Sequence, residues 1–145
     1  MSAPTLNDTL SIGYTGIAAE RARHAYRGLL GAVLIVEAAA GVALLVAPFS
    51  TASLLDLDAT GDAGLVRLAG VLVLALAALF LTGRAWPARS KLVNIIGMVG
   101  RAITGVLLLA HGGRLIWPGV AELLAALALA FSYFAYFKAE VMSRP

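Results

Sequence analysis

Apolar residues in this chain do not alternate with polar ones. They gather into four long runs separated by short polar segments. The first, GLLGAVLIVEAAAGVALLVA, covers residues 28–47 and stops at Pro48. The second, GLVRLAGVLVLALAALFLT, covers 64–82 and ends at Gly83. The third covers 92–110 and stops at His111-Gly112-Gly113, and the fourth covers 119–137, just after Trp117-Pro118, where a proline suits the first turn of a helix. A helix crossing the hydrocarbon core of a bilayer needs about 20 predominantly apolar residues, and each run meets that length. The pattern predicts an all-α fold, a polytopic membrane protein built as a four-transmembrane-helix bundle. No internal repeat or low-complexity linker divides it, so residues 1–145 read as a single membrane domain with an N-terminal segment at 1–27.

That segment is more polar. Residues 10–26 (LSIGYTGIAAERARHAY) contain no proline and are expected to form a short helix along or beneath the inner membrane surface, with their arginines near lipid headgroups. The alternative is a mobile tail over 1–15 followed by an extension of the first span. The first twenty residues lack a positive start leading directly into a short apolar core, so the first span is expected to remain uncleaved.

Composition strengthens the membrane reading. Of the 145 residues 61% are hydrophobic and 13% charged, against about 45–50% and about a quarter in ordinary soluble domains. The absence of cysteine excludes a disulfide framework, a thiolate metal site and thioether-linked haem. The net charge is +3, yet no basic cluster is interleaved with aromatics, so no nucleic-acid partner is expected. The positive charge follows topology instead. Arg21, Arg23, Arg27, Arg84, Arg89, Lys91, Lys138 and Arg144 flank the runs on one side, whereas the other side has only Arg114 and carries Asp56, Asp58 and Asp62. Positive loops face the cytoplasm, so both termini are expected there. Trp86, Tyr133, Tyr136 and Phe137 are then expected as aromatic anchors at the inner interface, and Trp117 at the outer one.

Four ionisable residues interrupt the apolar runs: Glu37, Arg67, Arg101 and Glu122. A charge at the bilayer centre costs from about 3 to over 10 kcal/mol, so it needs a partner, a water-filled cavity or a function. Glu37 and Arg101 each lie nine residues into a run that enters from the same side, which predicts a midplane pair at matching height. Arg67 and Glu122 each lie three residues into runs entering from the opposite side, which predicts a second pair nearer the outer surface. Small residues share these faces: Gly41 one turn beyond Glu37, Gly70 beside Arg67, and Gly97 and Gly105 four residues either side of Arg101. Small faces let helices approach closely, so the charged faces should point at other helices and not at lipid. Three roles remain open for these pairs: a tie fixing helix register, a site for an anionic or polar ligand or for protons, and pairing with another subunit.

Other chemistry is less well supported. His24 and His111 fall on opposite sides and cannot ligate one haem, and neither belongs to a metal-ligand pattern. The run DLDATGD superficially resembles a calcium loop but lacks its terminal glutamate and spacing. No nucleophile-and-base set or phosphate loop is present, so no catalytic residue, metal or cofactor is expected, although a bound lipid or quinone is compatible with the spans.

Two resemblances follow from these motifs. LIVEAAAGVALL around Glu37 is similar to the first helix of small multidrug transporters, which carries an essential carboxylate; this chain departs from them in placing Arg101 at the midplane and in lacking their aromatic-rich second and third helices. The run RGLLGAVLIVEAAAGVALLVAP, the opening GLVRLAGVLVLALAALFL and the element GMVGRAITG resemble the DoxX-like group of small four-helix bacterial membrane proteins, over about residues 25–137. That resemblance implies a multi-pass protein of the bacterial inner membrane, often associated with redox complexes, with no catalytic residue to carry over. The expectation is a non-catalytic accessory or anchoring subunit of a larger membrane assembly, redox- or quinone-linked. The alternative is a small homo-oligomeric transporter or channel using Glu37 and Arg101. Its expected partners are the lipid bilayer and other membrane subunits or copies of itself.

Overall fold

The structure, a computed structural model, describes residues 6–56 and 62–142, with side chains from Gly16 onward. Asp58 and Arg144 lie outside the described residues. Helix α1 spans Leu6–Val46, α2 Pro48–Leu54, α3 Ala63–Ala85, α4 Lys91–His111 and α5 Ile116–Met142, with a 3-10 turn at Gly113–Leu115 before α5. No strand occurs among the described residues. Four helical stretches are long and apolar enough to cross a membrane: Gly16–Val46, Ala63–Ala85, Lys91–His111 and Gly113–Met142.

The helix ends have local causes. Pro48 has no N–H to give to α1 and its ring crowds the preceding turn, so α1 stops and the chain restarts as α2 with the proline in its first turn. The Thr51 hydroxyl donates back to the Ala43 carbonyl at 3.1 Å, which also accepts from the Ala47 N–H at 2.9 Å, and so ties α2 to the last turn of α1. Asp62 caps α3, its carboxylate accepting from the Gly64 N–H at 2.8 Å. Between α4 and α5 the chain turns at Gly112 and Gly113 with φ of +81° and +59°, a region where a Cβ is strained.

The N-terminal segment does not form a separate surface helix. α1 runs without a break for 41 residues, about 60 Å at ~1.5 Å per residue, twice the ~30 Å hydrocarbon thickness. No proline or glycine pair interrupts residues 16–28, and Tyr26, Leu30 and Leu34 share a buried face across the expected break, so packing against α5 keeps the helix continuous through it.

α1 packs against α3 and α5, α4 packs against α5, and α3 touches α4 over a narrow strip; α1 and α4 do not pack closely, and neither do α3 and α5. Two antiparallel hairpins result, α1–α3 and α4–α5. Glycines set the spacing within each. At Gly70 a Cβ would lie 2.8 Å from the Gly41 carbonyl oxygen, and at Gly119 one would lie 3.0 Å from the Gly105 carbonyl oxygen, so backbone meets backbone at both crossings. Gly97 instead receives the Phe80 ring, 3.0 Å from where its Cβ would stand.

One end of the molecule is basic. The Arg84 Nε donates to the Arg27 carbonyl at 3.0 Å, the Lys91 ammonium lies 5.0 Å over the Phe137 ring, and Tyr26 stacks with Tyr136 at 6.4 Å, which brings the first half of α1, the end of α3, the start of α4 and the end of α5 together. Tyr133 and Tyr136 are not interfacial anchors. Both are buried against Tyr26, with the Tyr26 and Tyr133 centroids 5.1 Å apart, because their positions on α5 face α1 and not the surroundings. Trp86 and Trp117, at opposite ends, are largely exposed.

Candidate functional site

The α4 sequence KLVNIIGMVGRAITGVLLLAH sorts its residues onto two faces. Asn94, Gly97, Arg101 and Gly105 recur at three- and four-residue intervals and are buried, while Ile95, Ile96, Val99, Ile103 and Leu107 are exposed. This reverses the order of a soluble helix. The polar and small residues face protein and the branched aliphatics face outward, as expected where the surroundings are hydrocarbon.

Arg101 is 5% exposed and occupies the space among the helices. Its Nη1 forms an ion pair with Glu37 Oε1 on α1 and a second one, at 3.2 Å, with Glu122 Oε2 on α5. Although α1 and α4 do not pack closely, the arginine side chain is long enough to span the gap between them. The Phe80 ring of α3 completes the surround, its centroid 5.8 Å from the guanidinium carbon, within cation–π range. All four long helices therefore contribute to one centre.

Glu122 does not pair with Arg67. The fourth membrane-crossing stretch begins at Gly113, before the apolar run proper, so Glu122 stands nine residues from its start. From Glu37 to the end of α1 at Val46 is likewise nine residues, and from Arg101 to the end of α4 at His111 is ten. All three therefore sit at one height, about 14 Å from the same end at ~1.5 Å per residue. Arg67 is four residues from the start of α3, is exposed, and has no ion-pair partner among the described residues. Glu122 lies nine residues into its own stretch from the same side, so the two stand at different heights.

The centre has an unbalanced charge and unfilled hydrogen-bonding capacity. Two carboxylates face one guanidinium, giving a net charge of −1 when all three are ionised. Their side chains are 18% and 26% exposed for Glu37 and Glu122, against 4% for Arg101. Glu37 Oε2 and Arg101 Nη2 are buried without a hydrogen-bond partner. Beside Arg101, and also lined by Tyr26, Asn94 and Gly97, lies a cavity of about 10 Å³, close to the volume that one water needs on this measure.

Asn94 is a further buried polar residue, at 4% exposure, and sequence reasoning passed over it. Its amide donates to the Gly83 carbonyl at 3.5 Å and the Pro87 carbonyl at 3.4 Å, fastening the α3–α4 connection to α4. A Cβ on Gly83 would overlap the Asn94 amide oxygen, so the two residues fit only as a pair. Its signal was available: it is the only amide side chain inside the four apolar runs. His24 lies 3.7 Å from Glu20 on the same helix, and His111 ends α4. Comparison with protein-family models, with curated proteins and with solved structures returns no match.

Proposed function

We propose that this chain is a non-catalytic accessory or anchoring subunit of a larger membrane assembly, of the redox- or quinone-linked kind to which its DoxX-like motifs point. The observation that carries the reading is the length of α1. Its 41 residues extend about 30 Å beyond what a ~30 Å core requires, and Glu20, Arg21, Arg23 and His24 are exposed on the extension. A helix that projects from the membrane with a charged surface is suited to dock a partner subunit. The Arg101 centre then serves as an internal tie, since both of its carboxylates come from the same chain. The charge distribution supports a bacterial inner membrane location with both termini in the cytoplasm, testable by reporter fusions at each end.

The test is purification of the full-length chain from native membranes in mild detergent. Stoichiometric co-purification of other subunits, reduced by Arg21→Glu without loss of thermal stability, supports this reading. Recovery of the chain only as a homo-oligomer overturns it.

The second reading, a homo-oligomeric transporter or channel, is favoured by the unpaired Glu37 Oε2 and Arg101 Nη2 and by the surplus carboxylate. Proton flux in proteoliposomes that Glu37→Gln abolishes while the protein stays folded supports it; absence of flux from the wild-type homo-oligomer overturns it.

A further inference from the structure

Away from Arg101, a groove of about 590 Å³ lies between α1 and α3. Small residues, Gly28, Gly31 and Ala38 on α1 and Ala77 and Ala78 on α3, line it together with larger aliphatics. Along α1 it extends ten residues, from Gly28 to Ala38, and along α3 ten residues, from Leu74 to Arg84. At ~1.5 Å rise per residue that is about 15 Å, half of a ~30 Å hydrocarbon core. The groove is thus as long as one leaflet is deep, and it begins at the basic end of the molecule.

Its polar boundary is a single held cation. Arg84 lines the groove, and its Nε is committed to the Arg27 carbonyl at 3.0 Å. Gly31 makes this placement possible, because a Cβ there would stand 2.7 Å from the same Nε. Among the described residues no carboxylate lies within ion-pair distance of Arg84. The exposed Trp86 follows two residues later, a side chain suited to the headgroup region.

We propose that this groove is a binding site for one anionic phospholipid of the leaflet at the basic end, with an acyl chain along the α1–α3 floor and the headgroup phosphate on the Arg84 guanidinium. The charge decides the occupant. An uncompensated guanidinium next to an apolar trough calls for a ligand with an anion at one end and a hydrocarbon chain behind it. A quinone supplies the chain without the anion, and an apolar helix face from a second copy supplies no anion either. Basic pockets between membrane helices recognise anionic headgroups in this way.

The experiment is native mass spectrometry of the full-length protein with equimolar phosphatidylglycerol and phosphatidylcholine. The wild type should retain one phosphatidylglycerol per chain in preference to phosphatidylcholine. Arg84→Gln should reduce that preference about fivefold, the ratio expected for one arginine at an anionic surface. Gly31→Val, which leaves the arginine in the sequence but displaces it from α1, should reduce it similarly, while Arg67→Gln at the other end should not. Thermal unfolding of each variant identifies any that fails to fold, and the remaining one carries the test. Equal retention of the two lipids by the wild type, or an unchanged preference in a folded Arg84→Gln or Gly31→Val protein, overturns the proposal. So does a disulfide dimer formed readily by Ile35→Cys, which would put a second copy on the groove.

Discussion

Removing charges from the Arg101 centre in different combinations should give stability changes that do not add. In the wild type, one guanidinium within 3.2 Å of Glu122 and in direct contact with Glu37 balances one of two carboxylates. Glu122→Gln keeps an acceptor oxygen and leaves a neutral Glu37–Arg101 pair, so the cost should stay within about 1 kcal/mol, the net worth of one modified hydrogen bond. Glu37→Gln leaves a neutral Arg101–Glu122 pair and should cost about 1–3 kcal/mol, since the carboxylate lost is the more enclosed one. The double variant leaves a buried arginine, 5% exposed, with no counter-charge, and breaking a buried pair in this way costs about 3–5 kcal/mol. Arg101→Gln leaves two adjacent carboxylates and should cost a similar amount unless protons neutralise them. Replacing all three by apolar residues of similar volume should recover most of the loss.

The assay is reversible unfolding in mixed micelles, titrating the mole fraction of denaturing detergent and following near-ultraviolet circular dichroism from the buried tyrosines. The diagnostic is the coupling between the two glutamate changes. If the double variant loses only the sum of its single losses, to within the ~0.5 kcal/mol typical of independent sites, Arg101 is not balanced by the two carboxylates together and the reasoning fails.

The glycine crossings and the tyrosine cluster give further tests by the same unfolding assay. Gly70→Ala places a methyl 2.8 Å from the Gly41 carbonyl oxygen and should cost about 1–3 kcal/mol by forcing α1 from α3. Gly100→Ala meets nothing within 4 Å and should be neutral or stabilise by up to about 1 kcal/mol through helix propensity; a loss equal to that of Gly70→Ala would refute the close-approach argument. Tyr26→Ala empties a site only 1% exposed between Tyr133 and Tyr136 and should cost about 3–5 kcal/mol, with loss of the near-ultraviolet signal. Asn94→Ala leaves the Gly83 carbonyl in the last turn of α3 and the Pro87 carbonyl of the α3–α4 connection without this donor and should cost about 1–3 kcal/mol, accompanied by faster proteolysis at Arg89.

The four long helices were legible because hydrocarbon allows few alternatives: runs of about 20 apolar residues have to satisfy their backbone groups internally, and a helix does so. The meeting of Arg101 with a glutamate was legible for a related reason, since height along a helix follows from residue count alone. Where the count failed, it began from the wrong place. Gly119 opens the fourth apolar run, but the crossing stretch opens at Gly113, because Arg114 and Trp117 are tolerated near a helix end. That offset of six residues moves Glu122 from beside Arg67 to beside Arg101. Direction around each helix was harder to read. Tyr133 and Tyr136 have the composition of interfacial anchors, and only their position relative to Tyr26 shows that they belong to the interior.

The two ion pairs of Arg101 serve different joints. Its contact with Glu122 lies within the α4–α5 hairpin, which is already held by the Gly105–Gly119 crossing, whereas its contact with Glu37 crosses from that hairpin to the α1–α3 hairpin. The hairpins otherwise meet through the α1–α5 packing around Tyr26 and through the narrow α3–α4 strip. Glu37 is therefore the ionic link between the hairpins, beside the Asn94 bond to the Gly83 carbonyl, and its loss can loosen one half against the other, whereas Glu122 can be neutralised with the hairpins still joined. A static anchor needs only the first of these. Hydrogen exchange across α3 separates the possibilities: Glu37→Gln should increase exchange there, and Glu122→Gln should not. Equal increases in the two variants would mean that the centre acts as one indivisible unit and that this division of labour is wrong.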